Sequence, residues 1–284
     1  MKIAIIGAGA IGKLLATYYA PYHEVTLVPR RKEQCEQLNH EGVTVIGEVT
    51  ATYNVLATLT LPPADLYIVT VKYHHLANLA PLLKGVKTTL LFLQNGLAHQ
   101  TFAKQFTCEV IMGTLTAGAE NKDDTTVYAR GQGAMTVSIA EGHFLFQLQH
   151  PQLPIIAVSD VQEVLWRKAL MNSLINPLTA LLNICNGGLV TNRYANQLMR
   201  ALYEELMLVF PDKKQLISIE EVEQLCHNTA MNTSSMRADF LAERTSELPT
   251  IVGPLLEEAS NRQGQLPMMQ TIYYALLAIE ERRN

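Results

Sequence analysis

The order of apolar and polar positions divides the chain into a first part in which strands alternate with helices and a second part that is helical. The chain opens with the apolar run Lys2–Ile6, and further strand-like runs follow at 24–28, 66–71, 89–93 and 110–115. Such runs are typical of parallel strands that are buried on both faces of a sheet. Segments with the length and periodicity of helices lie at 14–20, 74–83 and 97–106. The alternation predicts a parallel, doubly wound sheet.

Two further regions, 43–59 and 125–139, contain short β-rich segments without helices. We interpret them as antiparallel additions at the edge of the sheet. A last strand-like run lies at 155–158, and Asp160 directly after it is a suitable N-cap for a long helix. The change from strands to helices therefore falls near residue 159.

Helical patterns continue to the end of the chain, at 193–210, 218–229, 250–263 and 269–281. Ser218 and Glu221 have the spacing of a capping box. The sequence thus predicts an α/β Rossmann-type doubly wound domain over residues 1–159, followed by an all-α domain over residues 160–284. A cleft between two such domains is a common place for a ligand.

The first strand runs directly into the glycine-rich sequence GAGAIG. In this pattern the first glycine permits a tight turn, the second lets the backbone approach a pyrophosphate, and the third lets the helix pack on the strand. The helix N-terminus adds N–H groups and a positive dipole that favour phosphate. The pattern alone is weak, but a strand before it and a helix after it supply the required context. It predicts a dinucleotide site formed by Gly7, Ala8, Gly9, Ala10, Ile11 and Gly12. A glycine turn that binds no ligand is the alternative.

The end of the second strand carries basic residues where NAD enzymes place a carboxylate for the ribose hydroxyls. The sequence there is Pro29, Arg30, Arg31 and Lys32. A guanidinium pairs well with a phosphate, which a carboxylate would repel, so the turn favours NADP(H) over NAD(H). A solvated basic turn without a binding role is the alternative.

Composition and charge exclude several other functions. Apolar residues make up 48% of the chain, charged residues 17%, and the net charge is −4, so neither disorder nor a nucleic-acid or anionic-membrane footprint is indicated. The four cysteines are far apart and form no zinc motif or disulfide framework, which favours a reduced, cytoplasmic setting without a metal. The long uncharged stretch 169–192 contains several Asn, Pro and Gly residues, so we interpret it as a buried helix and not as a membrane span.

Lys168, Asn172 and Asn176 recur at every fourth position and share one face of an otherwise apolar helix. Because a buried amide without a partner costs about 1–3 kcal/mol, these side chains either satisfy one another or face a ligand. The pattern leaves both alternatives open. Pro177 lacks an N–H group and is expected to open or kink the helix beside Asn176.

Together with the glycine turn, this stripe resembles the ketopantoate reductase (2-dehydropantoate 2-reductase) family over essentially the whole chain. The matching segments are GAGAIG, Lys72 after its strand, QNG at 94–96, WRKALMNSLINPLTAL at 166–181, NG at 186–187, NTSSM at 232–236 and Glu247. Each segment is modest alone, whereas their order and the KxxxNxxxNP helix are specific.

The resemblance implies an NADPH-dependent enzyme that reduces ketopantoate to pantoate on the route to pantothenate and coenzyme A. It makes Lys168 the general acid and Glu247 the carboxylate beside the lysine and substrate. It also implies a substrate shell of Asn95, Asn172, Asn176, Asn186, Ser235 and Glu247. Lys72 and Asn95 join the glycine turn and Arg30 or Arg31 as cofactor residues, and spacing makes Arg30 the better match.

After Glu247 the sequence departs from the usual family pattern, with Pro249 in place of Asp and Val252 in place of Asn. These two positions keep open an NADPH-dependent reductase of another 2-keto acid. A non-catalytic NADP(H)-binding redox sensor is a further alternative, although it would not need Lys168. The sequence leaves the oligomeric state open, with a homodimer among the alternatives.

Overall fold

The computed structural model describes residues 1–282, which fold as two compact units. The first unit consists of residues Met1–Gln94 and His99–Val161, and the second contains the short segment Asn95–Ala98 and the chain from Gln162 onward. The boundary near residue 161 lies two residues beyond the predicted position. The inclusion of Asn95–Ala98 in the second unit was not predicted, because in the sequence this segment follows a strand of the first domain.

The first unit contains twelve described strands. In chain order they are β1 (Lys2–Ile6), β2 (Glu24–Val28), β3 (Val43–Ile46), β4 (Ala51–Tyr53), β5 (Leu56–Ala57), β6 (Leu66–Val69), β7 (Thr89–Phe92), β8 (Val110–Leu115), β9 (Ala119–Asn121), β10 (Thr126–Ala129), β11 (Met135–Ser138) and β12 (Ile155–Val158). Its helices are α1 (Ala10–Tyr19), α2 (Lys32–Glu41), α3 (Leu76–Leu83) and α4 (His99–Ala103), with 3-10 turns at Tyr73–His75 and Phe144–Leu148.

Eight strands form the main sheet in the order β12-β11-β8-β7-β6-β1-β2-β5. The strands from β8 to β5 are parallel, and β11 pairs with β8 in the antiparallel sense. Along β1, Ile3 and Ile5 join one hydrophobic cluster while Ala4 and Ile6 join another, so both faces of the strand are buried. The predicted doubly wound sheet is confirmed.

The predicted antiparallel edge additions are only partly correct. β11 is antiparallel within the main sheet, but β5 joins its edge in the parallel sense. The strands β3, β4, β9 and β10 form a separate sheet in the order β4-β3-β10-β9, in which β10 and β3 are parallel. Strands β3 and β10, which pair in this sheet, are far apart in the sequence, so the local pattern of each strand does not indicate its partner.

Helix α2 was not predicted from the sequence. Its sequence, KEQCEQLNHE, is mainly polar, and only Gln34, Cys35 and Leu38 are buried. Such a helix has a weak apolar stripe, so tertiary contacts stabilise it more than its own pattern indicates.

The described residues of the second unit form helices joined by turns and loops, with no strand among them. Helix α5 (Val161–Leu182) begins at the boundary of the first unit. The others are α6 (Gly188–Thr191), α7 (Arg193–Val209), α8 (Ile219–Asn228), α9 (Ser235–Leu241), α10 (Leu248–Ile251), α11 (Gly253–Asn261) and α12 (Pro267–Glu281), with a 3-10 turn at Pro211–Lys213. Both hydrogen bonds of the predicted Ser218–Glu221 capping box are present. Pro177 lies inside α5, which continues to Leu182, so the proline does not end the helix.

Candidate active site

The glycine turn joins β1 to α1. Gly7 has φ +108°, a region that favours glycine, and a Cβ there would lie 2.9 Å from Val71 Cγ1. A Cβ on Gly12 would lie 1.8 Å from Gly7 O, so the helix can pack this closely only with glycine. Gly9 is the N-cap of α1 and offers no side chain to occupy the helix end. These features fit a pyrophosphate held by backbone N–H groups.

The two arginines after β2 have different partners. The Arg31 guanidinium is paired with the Asp124 carboxylate between β9 and β10. Arg30 instead has its Nη1 atom 3.3 Å from Nε2 of His75, which lies in the 3-10 turn after Lys72. Sequence spacing favours Arg30 over Arg31 as the cofactor residue, and within residues 1–282 the structure pairs Arg31, but not Arg30, with a carboxylate.

Two buried side chains hold the β9–β10 turn near the glycine turn. Gln34 donates through Nε2 to Ala8 O at 2.9 Å and to Asp124 O at 3.1 Å. Lys13 is fully buried and donates through Nζ to the backbone oxygens of Asp123 and Thr126. Burial lowers the pKa of Lys13 to about 8, while Asp123 and Asp124 act in the opposite direction.

A second lysine, Lys168, lies on α5 of the helical unit and is half-buried. Burial lowers the pKa of its ammonium group to about 8, and the negative charge of Glu247 opposes this effect. Glu247 is the N-cap residue of α10. The structure thus brings together the predicted lysine and carboxylate, which lie on different helical segments.

Asn95 holds the carboxylate of Glu247 by donating through Nδ2 to Oε2 at 3.2 Å. The neighbouring Gly96 has φ +78°, and a Cβ there would lie 2.4 Å from Thr250 O, so the segment packs directly on α10. Leu97 packs against the hydrophobic core of the helical unit. These contacts explain why Asn95–Ala98 belongs to the second unit and correct its predicted placement in the first.

The two asparagines one and two turns beyond Lys168 are Asn172, which is half-buried, and Asn176, which is buried. Within residues 1–282, neither side-chain amide takes part in a hydrogen bond. The two alternatives that the sequence left open for this stripe, mutual satisfaction and contact with a ligand, both remain predictions.

The remaining predicted residues have less direct roles in the geometry. Ser235 is exposed at the start of α9, whereas the buried Ser234 caps that helix and lies 2.7 Å from Thr179 Oγ1. Asn186 donates through Nδ2 to Thr229 Oγ1 at 2.9 Å, which anchors the turn before α6. No hydrogen bond between described residues links Ser235 or Asn186 directly to Glu247.

Comparison with known proteins identifies the family of this chain. Residues 3–142 match the family described as ketopantoate reductase PanE/ApbA, and residues 160–280 match its C-terminal part. A 2-dehydropantoate 2-reductase from Listeria innocua is 34% identical, with 100% of this chain and 98% of the relative covered. The corresponding protein from Bacillus subtilis is 34% identical, with 100% and 99% covered. The chain belongs to the ketopantoate reductase family.

A solved structure extends this similarity to three dimensions. The crystal structure of the probable 2-dehydropantoate 2-reductase panE from Bacillus subtilis matches with a TM-score of 0.86 at 32% sequence identity. The match covers 98% of this chain and 100% of that structure. The resemblance inferred from the sequence motifs is confirmed.

Val252 and Pro249, the two departures from the ketopantoate reductase pattern, differ in burial. Val252 is fully buried in the core of the helical unit, so its side chain contributes to packing. Pro249 is exposed in the first turn of α10, where proline is well tolerated. The Val252 side chain therefore gives no support to a changed substrate.

The structure also bears on other kinds of site. Within residues 1–282, no helix is both long and apolar enough to span a membrane. No group of three or more His, Cys, Asp or Glu side chains in that part of the chain is arranged to hold a metal ion.

Four residues with a place in this geometry were missed in the sequence: Lys13, Gln34, His75 and Asp124. Lys13 follows the last glycine directly, and a lysine on a buried helix face is a signal that could have been used. Asp124 gives no local signal, because its partner Arg31 is 93 residues away.

Proposed function

We propose that this protein catalyses the NADPH-dependent reduction of 2-dehydropantoate to pantoate, a step towards pantothenate and coenzyme A. The observation that carries the proposal is the half-buried Lys168 ammonium group beside Glu247, whose carboxylate is held by Asn95. A lysine with a strongly lowered pKa beside a specific charged partner is typical of a functional site.

Reduction of a keto group places negative charge on its oxygen. A nearby ammonium group stabilises that charge and then donates the proton that completes the alcohol. A pKa of about 8 keeps Lys168 largely protonated at neutral pH and makes it a stronger acid than an exposed lysine. Lys168 is therefore assigned as the general acid.

Glu247 and the asparagines orient the reacting groups. Because the Glu247 carboxylate favours the charged form of Lys168, it preserves the proton that the reaction consumes. Asn172 and Asn176 offer uncharged amides for the carboxylate and hydroxyl groups of the substrate. Neutral amides bind these groups without further lowering the pKa of the lysine, as an added cation would.

The residues of the glycine turn fit the nicotinamide cofactor, which supplies the hydride when bound. Gly7–Gly12 would hold its pyrophosphate through the backbone, and Arg30 would hold the 2′-phosphate. Lys72 and Asn95 are proposed as further cofactor contacts, and Ser235 and Asn186 as further substrate contacts.

The test is NADPH oxidation by the purified protein with 2-dehydropantoate, ketoisovalerate, pyruvate and oxaloacetate. We expect the highest kcat/KM with 2-dehydropantoate. A clear preference for another member would instead support the reductase of a different 2-keto acid. Turnover of none of the four, together with intact NADPH binding, would support the redox sensor.

The setting of the enzyme is a separate proposal. All four cysteines (Cys35, Cys108, Cys185 and Cys226) are free thiols, which supports a cytoplasmic location. Fractionation of cells that produce the protein tests this proposal. Sedimentation of the purified protein decides between a monomer and the homodimer that the sequence left open.

A further inference from the structure

The contact between Arg30 and His75 lies at the carboxyl edge of the main sheet. Strands β2 and β6 flank β1, with all three parallel. Arg30 follows the end of β2, His75 follows the end of β6, and the glycine turn follows β1. The three segments that follow these strands therefore leave the sheet from one edge, where doubly wound folds bind nucleotides.

The geometry of the contact places two basic groups side by side. Nη1 of Arg30 lies 3.3 Å from Nε2 and 3.5 Å from Nδ1 of His75. Arg30 is exposed and His75 is half-buried. Two groups that both carry positive charge repel each other when protonated, but together they suit a dianion.

The charged and titratable groups that act on His75 are all basic. The His74 ring lies 4.1 Å from the His75 ring, and Lys72 and Arg30 also act on it. Burial is the largest cause that lowers the pKa of His75 below its usual value of 6.5, followed by His74, Arg30 and Lys72. A bound dianion would reverse the electrostatic part of this effect.

Arg31 lacks this arrangement because its guanidinium is paired with Asp124. Asp124 is held in turn through its backbone oxygen by the buried Gln34. A phosphate at Arg31 would approach a carboxylate, which costs affinity. The two neighbouring arginines are thereby distinguished by their partners.

We propose that Arg30 and His75 together bind the 2′-phosphate of NADPH, and that the His75 imidazole takes up one proton from solvent as the phosphate binds. This inference rests on the proposed function, since it presumes that NADPH is the cofactor. It follows that the preference for NADPH over NADH is greater in mildly acidic than in alkaline solution.

Calorimetric titration of the whole protein tests this proposal without measuring turnover. NADPH and NADH are each titrated at about pH 6.5, the ordinary pKa of histidine, in two buffers of different ionisation enthalpy. We expect net proton uptake with NADPH and none with NADH. The phosphate itself, with a second pKa near 6, would release protons when bound as a dianion, so uptake identifies a protein group.

Three variants make the test specific. His75→Gln should abolish proton uptake and weaken NADPH binding about tenfold at low pH, with a smaller loss at high pH. Arg30→Gln should weaken NADPH binding by at least as much at every pH. Arg31→Gln is the matched comparison, and it should change NADPH affinity by less than about threefold, since Asp124 already occupies its guanidinium.

The outcomes separate this inference from the proposed function. If His75→Gln retains both the proton uptake and the pH dependence of wild-type NADPH binding, the inference is wrong while the reductase assignment stands. Equal losses for Arg30→Gln and Arg31→Gln would also contradict it. If the wild-type protein binds NADPH no more tightly than NADH, both proposals fail. Circular dichroism of each variant confirms that it is folded.

Discussion

Two lysines in this protein have similarly lowered pKa values but different surroundings. Burial lowers the pKa of Lys13 in the first unit and of Lys168 in the second, in both cases to about 8. Lys13 is fully buried, and its ammonium group donates to two backbone oxygens. Lys168 retains some exposure and shares its helix face with the amides of Asn172 and Asn176.

The difference shows that a lowered pKa alone does not identify a catalytic lysine. The partners of Lys13 are carbonyl groups of the fold, so its charge serves the packing of the β9–β10 turn on α1. The charge that acts on Lys168 is the Glu247 carboxylate, which lies on another segment. Exposure and a carboxylate partner therefore distinguish the proposed catalytic lysine from the structural one.

The same substitution at both lysines should give opposite results. Lys168→Met removes the acid and the charge that stabilises the transition state, so kcat should fall by about 10² to 10⁴ while NADPH affinity is retained. Lys13→Met should retain kcat within about threefold at a temperature where the variant is folded. Steady-state kinetics and NADPH titration measure both, with the exposed Lys214→Met as a control. Near-full turnover by Lys168→Met would eliminate it as the acid.

Stability should show the reverse order. Lys13→Met leaves Asp123 O without the lysine donor and removes one of the donors to Thr126 O, which keeps its bond from Lys122 N, and we expect the free energy of unfolding to fall by about 2 kcal/mol. Lys168→Met removes a desolvated charge, and the Glu247 carboxylate that it leaves behind keeps its hydrogen bond from Asn95, so the free energy of unfolding should change by less than about 1 kcal/mol. Chemical denaturation of the two variants and of wild type tests this. A larger loss at Lys168 than at Lys13 would reverse the assignment of their roles.

The pH dependence of stability sharpens the same distinction. The folded-state pKa of Lys13, about 8, is below its usual value of 10.5, so the unfolded chain binds more protons between these values. The contribution of this group to the free energy of unfolding is fully present above about pH 10.5 and is lost as the pH falls to about 8. Wild type should therefore gain more stability than Lys13→Met between these two pH values, as denaturation at each pH would show. If the free energy of unfolding changed equally with pH in wild type and Lys13→Met, Lys13 would not be desolvated.

A smaller effect is expected at the amides beside Lys168. Asn172→Ala removes one proposed hydrogen bond to the substrate, so KM should rise about tenfold with little change in kcat. Asn228 lies on the exposed end of α8, and Asn228→Ala serves as the comparison. An unchanged KM for Asn172→Ala would mean that this amide does not bind the substrate.

The sequence predicted those parts of the site that consecutive residues or a regular spacing encode. The glycine turn is contiguous, and the spacing of Lys168, Asn172 and Asn176 on one helix follows from helical geometry. Glu247 came from family resemblance and not from any physical pattern. The residues that were missed or misplaced depend on contacts between distant segments.

Asn95 and Asp124 illustrate that limit. Asn95 follows a strand of the first unit, yet its hydrogen bond to Glu247 spans 152 residues of sequence and places it in the second. Asp124 neutralises Arg31 across 93 residues. Helix α2 was missed for a related reason, because the buried Gln34 is satisfied by Ala8 and Asp124 and not by an apolar stripe of its own helix.

The pH profile of kcat/KM for wild type and Glu247→Gln tests the central claim most directly, since this profile reports the pKa of groups in the free enzyme. With Lys168 as the acid, activity should be lost as the lysine deprotonates above about pH 8. Because the Glu247 charge raises that pKa, Glu247→Gln should shift the loss of activity to lower pH and also reduce kcat/KM. A loss of activity at the same pH in both proteins would contradict the assignment of Lys168 and Glu247 as the catalytic pair.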